Sequence, residues 1–258
     1  MQPDAQRFSD ACARIIDVKR ERSGIGTLGE KTLHAVMKCY FEPDEQYHEI
    51  KIGSYFADIC RAKEIIEIQT KQFHRLRGKL DAFLPDWQVT VVYPIAATKW
   101  LIWIDEETGE ATKPHRSPKR RTPFEAFIEL YRIKAYLGHP NLRVLLPMLQ
   151  VEEYRLRDGW SRDKKRGSHC SDRIPVGIEE EVLLAGPEDY AALLPGALPE
   201  PFTSADLAKI AHIPVRLAQT TLNVLTCLDA VERVGREGNR ILYQKALPKA
   251  SPGGLCPA

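Results

Sequence analysis

Between positions 55 and 69 the chain writes two short apolar runs, each carrying one acid, on either side of a turn. Residues 55–60 and 65–69 have the length and β-branched content of strands, and the stretch 61–64 suits a four-residue turn. In that hairpin Cys60 pairs with Ile65, and Asp58 falls opposite Glu67. Directly paired Cβ atoms lie roughly 4.5–5.5 Å apart, so two facing carboxylates repel and weaken the sheet unless something offsets them. A divalent cation does so directly, because Mg²⁺ takes carboxylate oxygen and keeps several of its waters. Strand alternation puts Glu67, Gln69 and Lys71 on one face, provided the strand continues that far, and Ile66 and Ile68 on the other. An exposed polar face on a half-buried hairpin is the plain alternative. The convergence of acids from two strands, rather than along one, favours the metal site.

The surrounding pattern is that of an α/β protein. Residues 8–19 have helical apolar spacing, broken at Ser23-Gly24-Ile25-Gly26, and a second helix spans 28–41 before Pro43. A strand over 48–52 precedes the hairpin. A helix over 72–83 stops at Pro85, and 88–93 is a β-branched, buried strand. Helix, three strands, helix and strand over 28–93 predict a core with a mixed sheet. Further on, 100–104 reads as a strand before the turn Glu107-Thr108-Gly109, and 124–137 as an amphipathic helix. Residues 142–151 read as a strand that Pro147 restricts to an edge or a bulge. Residues 152–200 are irregular in pattern. Thr27 and Glu30 fit a helix capping box, which makes Glu30 both a cap and a candidate third acid. His34, one turn later, reads as a surface or packing residue.

The order of a helix bearing Glu30, a strand with Asp58, a strand with Glu67-Ile68-Gln69, a helix and a strand resembles the PD-(D/E)XK nuclease superfamily. That superfamily includes restriction endonucleases, Holliday-junction resolvases and competence-associated nuclease-like proteins. The resemblance covers roughly residues 23–93 and is closest to members with Glu-x-Gln. It implies a restriction-endonuclease-like mixed sheet flanked by helices. It also implies Mg²⁺ or Mn²⁺ held by Asp58, Glu67 and the backbone of Ile68, and phosphodiester hydrolysis of DNA. The candidate catalytic set is Glu30, Asp58, Glu67, Gln69 and Lys71. The family lysine falls at Gln69, which can hydrogen-bond a water but brings no positive charge to a transition state. Lys71 is the candidate substitute. The alternative is a nuclease fold without activity, serving as a DNA-binding or regulatory protein. A protein-interaction scaffold is a third reading. The segments Gly24-Ile25-Gly26-Thr27-Leu28-Gly29-Glu30 and Tyr93-Pro94-Ile95-Ala96-Ala97-Thr98-Lys99-Trp100 are also similar to uncharacterised bacterial proteins.

Residues 202–245 resemble a winged helix-turn-helix. Thr203 or Ser204 caps a first helix, His212-Ile213-Pro214 turns, and a second helix from Val215 puts Ala218, Leu222, Leu225 and Leu228 inward. A hairpin around Gly235-Arg236-Glu237-Gly238-Asn239 follows. The resemblance implies base contacts from Arg216, Gln219 and Asn223 and phosphate contacts from Arg236 and Arg240. The expected organisation is a nuclease-like domain over 1–198 with a basic, partly irregular extension, the winged helix over 199–248 and a flexible tail over 249–258.

The net charge is only +2, so nucleic-acid binding has to rest on where the cations cluster. Lys113, Arg116, Lys119, Arg120 and Arg121 form one group. Arg155, Arg157, Arg162, Lys164, Lys165 and Arg166, around Trp160, form another. Arg120, Arg121, Lys164, Lys165 and Arg166 are the chosen phosphate contacts. DNA is the expected partner, with RNA and a homodimer left open. The six cysteines form no CxxC pair, which points to separate thiols in a reducing compartment. No signal-peptide pattern opens the chain, and the apolar stretch 89–104 is interrupted by Pro94 and Lys99. The expectation is a cytoplasmic protein with no membrane partner.

Overall fold

The computed structural model describes residues 2–23, 31–105, 108–157 and 169–246. Two helices lead: α1 (Ala5–Ser23) and α2 (Lys31–Phe41). Strands β1 (His48–Ile52), β2 (Tyr55–Arg61) and β3 (Glu64–Ile68) follow, then α3 (Arg77–Phe83), β4 (Gln88–Val92), β5 (Ile95–Asp105) and the short β6 (His115–Arg116). After α4 (Phe127–Leu130) come two 16-residue strands, β7 (Leu142–Arg157) and β8 (His169–Leu184), then α5 (Pro187–Ala192). The chain continues through α6 (Ser204–Ile210) and α7 (Val215–Cys227) to the hairpin β9 (Val231–Glu237) and β10 (Arg240–Lys245).

Eight strands form one mixed sheet in the order β1-β2-β3-β4-β7-β5-β6, with β8 along the other edge of β7. β4 and β5 lie on the same side of β7 and both run parallel to it. β4 pairs up to Val92 with Leu145, and β5 starts from Ile95 with Met148. Antiparallel β8 accompanies β7 from Val144 to Leu156. β7 is therefore central, and the expected edge position of Pro147 is not what the chain does. The Leu145 carbonyl accepts from Tyr93 N–H at 2.9 Å, so by strand alternation Pro147 turns its nitrogen to the same side. There it meets the gap where β7 changes neighbour from β4 to β5, and no ladder donor is missed.

Each face of the sheet carries its own core. On one, Leu33, Val36, Met37 and Tyr40 of α2, at helical spacing, pack with Phe8 and Ala11 against Ile59, Ile68, Val92, Leu149 and Val151. On the other, Ile65, Val89, Val91 and Val144 meet Phe73, Leu80 and Phe83. The expected helix over 124–137 is broken into 3-10 turns at Pro123–Ala126 and Tyr131–Ile133 flanking α4. Its buried residues Phe124, Phe127, Leu130 and Ile133 recur every third position, the repeat a 3-10 helix stacks on one line. The expected strand at 100–104 is the far half of the longer β5, and β8 was hidden in the stretch read as irregular.

The C-terminal elements share the second core. Leu217, Ala218, Leu222 and Leu225 of α7 belong to the same buried cluster as Phe73 and Phe127. Thr203 caps α6 in a capping box with Asp206, its Oγ1 accepting from the Asp206 N–H at 3.3 Å. Phe202 exchanges two backbone hydrogen bonds with Tyr243, at 2.9 and 2.8 Å. Among the described residues no helix is long and apolar enough to cross a membrane.

Because Phe127 lies fully buried between the sheet and the C-terminal helices, Phe127→Ala should cost about 3–5 kcal/mol. Tryptophan fluorescence from the sheet and amide exchange in α7 should then report one shared, lowered transition. Two separate transitions would show that the cores fold independently.

Candidate functional site

The β2–β3 hairpin turns tightly at Ala62 and Lys63, with Arg61 opposite Glu64, Cys60 opposite Ile65 and Ile59 opposite Ile66. Ala62 takes a left-handed conformation (φ 49°) to close the turn. The next pair in register is Asp58 and Glu67, and there the two strands part. The Ile68 N–H, instead of meeting a backbone carbonyl of β2, donates to Asp58 Oδ2 at 2.8 Å. On its other edge β3 stays paired with β4, through Ile68 opposite Val92 and the Gln69 N–H on the Val92 carbonyl at 2.9 Å. A carboxylate thus completes the hydrogen bonding of a strand end, and it stands in a fork of the sheet.

Helices on the two faces reach this fork. From α2, His34 Nε2 hydrogen-bonds Asp58 Oδ2 at 3.2 Å. From α3, Lys79 Nζ donates to Glu67 Oε2 at 2.7 Å. The Glu67 side chain is 3% exposed and that of Asp58 15%, so both acids are largely out of water. Glu67 Oε1 is buried with no hydrogen-bond partner among the described residues. Burial should drive both carboxyls up. At Asp58 that push is overcome by the His34 hydrogen bond and charge, by the Ile68 N–H and by Lys79, which hold it below the ordinary carboxylate value. Glu67 is pushed up to about 7 by burial and by the Asp58 charge, against the pull of Lys79. Two neighbouring acids thus take different protonation states, one ionised and one poised near neutrality. A cation bound between them would restore the second charge.

The structure brings Asp58, Glu67 and the backbone of Ile68 together. Lys71 lies beyond the end of the strand. β3 ends at Ile68, and Gln72 turns left-handed (φ 62°) to start a 3-10 turn. There Phe73 is buried and gives its N–H to Glu129 Oε2 at 2.9 Å. Burying Phe73 lifts the chain off the sheet, so Lys71 is exposed and the side-chain amide of Gln69 donates to the Lys71 carbonyl. Glu30 lies outside the described residues, as do its capping partner Thr27 and the candidates Lys164, Lys165 and Arg166. Among the described residues no three His, Cys, Asp or Glu side chains come together around one ion.

His34 and Lys79 are the additions that the fold makes. His34 was read as a packing residue. It flanks the buried stripe of α2 beside Leu33 and Met37, a position visible on a helical wheel without its partner being visible. Lys79 is one of several charged residues on and before α3, and nothing in their spacing marks the one aimed at β3.

The basic residues take varied roles. Arg121 is exposed, with its N–H on the Ala97 carbonyl at 3.0 Å, and Arg120 donates to Glu179 Oε2 at 2.9 Å. Their segment borders β5 on the side away from β7, the side on which β3 borders β4. Arg216 and Gln219 are exposed on α7, and Arg236 and Arg240 on the hairpin. Asn223 does not face outward as expected. It is half-buried and accepts from Lys134 Nζ at 2.8 Å, because this end of α7 packs on α4 and the turn after it.

Residues 31–185 match the family described as a domain of unknown function, DUF8091. An uncharacterized protein from Treponema pallidum (strain Nichols) is 28% identical over 186 residues, which cover 72% of this chain and 74% of that protein. No solved structure matches.

The raised Glu67 carboxyl has a thermodynamic signature. Between its ordinary value of 4.5 and about 7, the folded metal-free protein holds a proton that the unfolded chain releases. The Glu67 contribution therefore falls as pH rises through that window. In chelator, Glu67→Gln should be more stable than wild type at pH 8 by roughly 1–3 kcal/mol, and the gap should close at pH 5. Denaturant titrations of both proteins at the two pH values measure it, and an equal gap at both would exclude a buried, raised Glu67.

Proposed function

The chain belongs to the DUF8091 family, and we propose that it is a divalent-metal-dependent nuclease acting on DNA. The reading takes the mixed sheet as restriction-endonuclease-like and the C-terminal helices and hairpin as a winged helix that adds a second DNA contact. The observation that carries it is the buried Asp58–Glu67 pair at the strand fork, with Glu67 Oε1 lacking a hydrogen-bond partner among the described residues. Two carboxylates with one unused buried oxygen suit Mg²⁺ or Mn²⁺, which keep waters in their remaining positions. Asp58 and Glu67 would hold the ion, with the Ile68 carbonyl as the backbone ligand that the resemblance implies. When bound, it would polarise a phosphate and lower the pKa of a coordinated water.

The side chains around the acids divide the remaining work. His34 and the Ile68 N–H keep Asp58 ionised and fixed in orientation, which makes His34 a positioning residue. Lys79, from a helix, supplies next to Glu67 the positive charge that Gln69 lacks. Arg216, Gln219, Arg236 and Arg240 remain exposed for DNA, whereas Asn223 is engaged by Lys134.

The ion pair of Lys79 with Glu67 favours one second reading. It partly neutralises the acid without a metal, as a nuclease fold retained for binding alone would require. Cleavage of plasmid and linear duplex in Mg²⁺ or Mn²⁺ separates the two. For an enzyme, Asp58→Asn and Glu67→Gln abolish cutting. Lys79→Ala lowers it by about 10²-fold or more, while binding in chelator is unchanged. Mg²⁺ should also raise the thermal midpoint of wild type and not of Asp58→Asn. Salt-sensitive binding without cutting supports the inactive form, and unchanged cutting in both acid variants rejects the site.

A further inference from the structure

At one level of the sheet, the strands on both sides of β7 bulge. On β5 the register steps from Ala96 opposite Leu149 to Thr98 opposite Gln150, so Ala97 is an extra residue. On β8 it steps from Glu180 opposite Met148 to Ile178 opposite Leu149, so Glu179 is extra. A bulge re-aims side chains, and bulges recur beside functional sites. Here Glu179 reaches across β7 to β5. Its Oε1 accepts from the hydroxyl of the buried Thr98 at 2.8 Å, and its Oε2 from Arg120 at 2.9 Å.

Arg120 belongs to a segment tied to β5 at both ends. The Ser117 N–H donates to the Lys99 carbonyl at 2.8 Å, and the Arg121 N–H to the Ala97 carbonyl at 3.0 Å. Between segment and strand lies a cavity of about 310 Å³, whose lining includes Ala97, Thr98, Arg116, Ser117, Lys119 and Arg120. That volume is at the lower end of the roughly 300–1,000 Å³ of small-molecule sites. Among the described residues no carboxylate lines it.

The charges around the cavity can be counted. Glu179 balances Arg120. Lys99 alternates to the other face of β5 and pairs with Glu153 of β7 at 3.0 Å, in a cluster that Arg155 and Arg173 join at 2.8 and 3.4 Å. Arg116 and Lys119 are exposed and have no acidic partner among the described residues. Two positive charges are thus uncompensated at the cavity wall. Ser117 Oγ accepts from the Lys119 N–H at 3.4 Å, which leaves its own proton for an acceptor. Arg120 spends one donor on Glu179 and has others, in a fork that matches phosphate geometry.

A phosphate monoester carries about −1.5 to −2 at neutral pH, whereas each diester of a nucleic-acid backbone carries about −1. Two free cations on one pocket match the monoester. A bare ion would fill only part of the space, which at about 30 Å³ per molecule equals roughly ten waters. The cavity therefore suits a phosphate with an organic group attached. Its walls are held before any ligand arrives, by Glu179 and by the two backbone bonds, and this lowers the entropy cost of binding.

We propose that Arg116, Ser117, Lys119 and Arg120, braced by Thr98 and Glu179, bind a phosphate monoester, carried by a small phosphorylated molecule or by the end of a nucleic-acid strand. The site shares no residue with the acid pair and does not depend on the nuclease reading.

Calorimetric titration of the full chain at low salt, in chelator, tests it with ribose 5-phosphate as the probe. Wild type should bind ribose 5-phosphate saturably and ribose not at all. Arg116→Ala/Lys119→Ala removes two exposed side chains and should weaken binding by about 10-fold or more. Arg132→Ala/Lys209→Ala, the same charge change on other exposed residues, should leave it unchanged. A single strand with a 5′-phosphate, titrated against the same strand with a 5′-hydroxyl, separates the two sources. Tighter binding of the phosphorylated strand than of ribose 5-phosphate assigns the pocket to strand ends, and the reverse order assigns it to small molecules. No binding of either phosphate by wild type, equal binding of ribose and its phosphate, or equal loss in the two double variants would overturn the site. None of these outcomes bears on cleavage at Asp58 and Glu67.

Discussion

Strand β7 is hydrogen-bonded along both edges, to β8 on one side and to β4 and then β5 on the other. Because β4 and β5 share that side, the chain crosses from one half of the sheet to the other through Tyr93 and Pro94 without leaving it. That continuity gives β3 and the acid pair a rigid flank, and it puts the basic segment and the Glu153 cluster on the extension of the same strand. A parallel strand buried on both faces is largely hydrophobic, as the first half of β7 is apart from the exposed Arg143. Its second half carries Glu152, Glu153 and Arg155, and there burial of charge has to be met by ion pairs.

The two buried carboxylate sites resolve the same problem differently. Glu153 is also pushed up by burial, but Lys99, Arg155 and Arg173 overcome this and hold it down at about 2. Glu67 has one cation and a neighbouring anion, and it stays high. At the fork the two acids share Lys79 and His34, and Glu67 alone is left short of compensating charge, which a divalent ion would supply.

The C-terminal helices have a structural role in the body of the protein. The inward face of α7 completes the core over α4, and Lys134 reaches across to Asn223. A helix so anchored presents mainly its N-terminal, outer residues, Arg216 and Gln219 among them. The hairpin extends Arg236 and Arg240 away from the body. Any DNA contact made there is held at a fixed orientation to the sheet, because the same hydrophobic cluster supports both.

Local pattern carried the hairpin. Residue alternation and turn length put Cys60 opposite Ile65, and from there Asp58 falls in register with Glu67, because both quantities are written in consecutive residues. The helix before Pro43 and the helix cap at Thr203 were legible for the same reason. What only the tertiary structure decided lies between segments far apart in sequence. The gap in neighbours that lets Pro147 sit in a central strand depends on where β4 ends and β5 begins. The end of β3 at Ile68 follows from burial of Phe73 against a helix more than fifty residues on. His34 and Lys79 join Asp58 and Glu67 because α2 and α3 pack on opposite faces of one sheet. Sequence spacing determines which side of an element a residue occupies. Packing alone determines what that side meets.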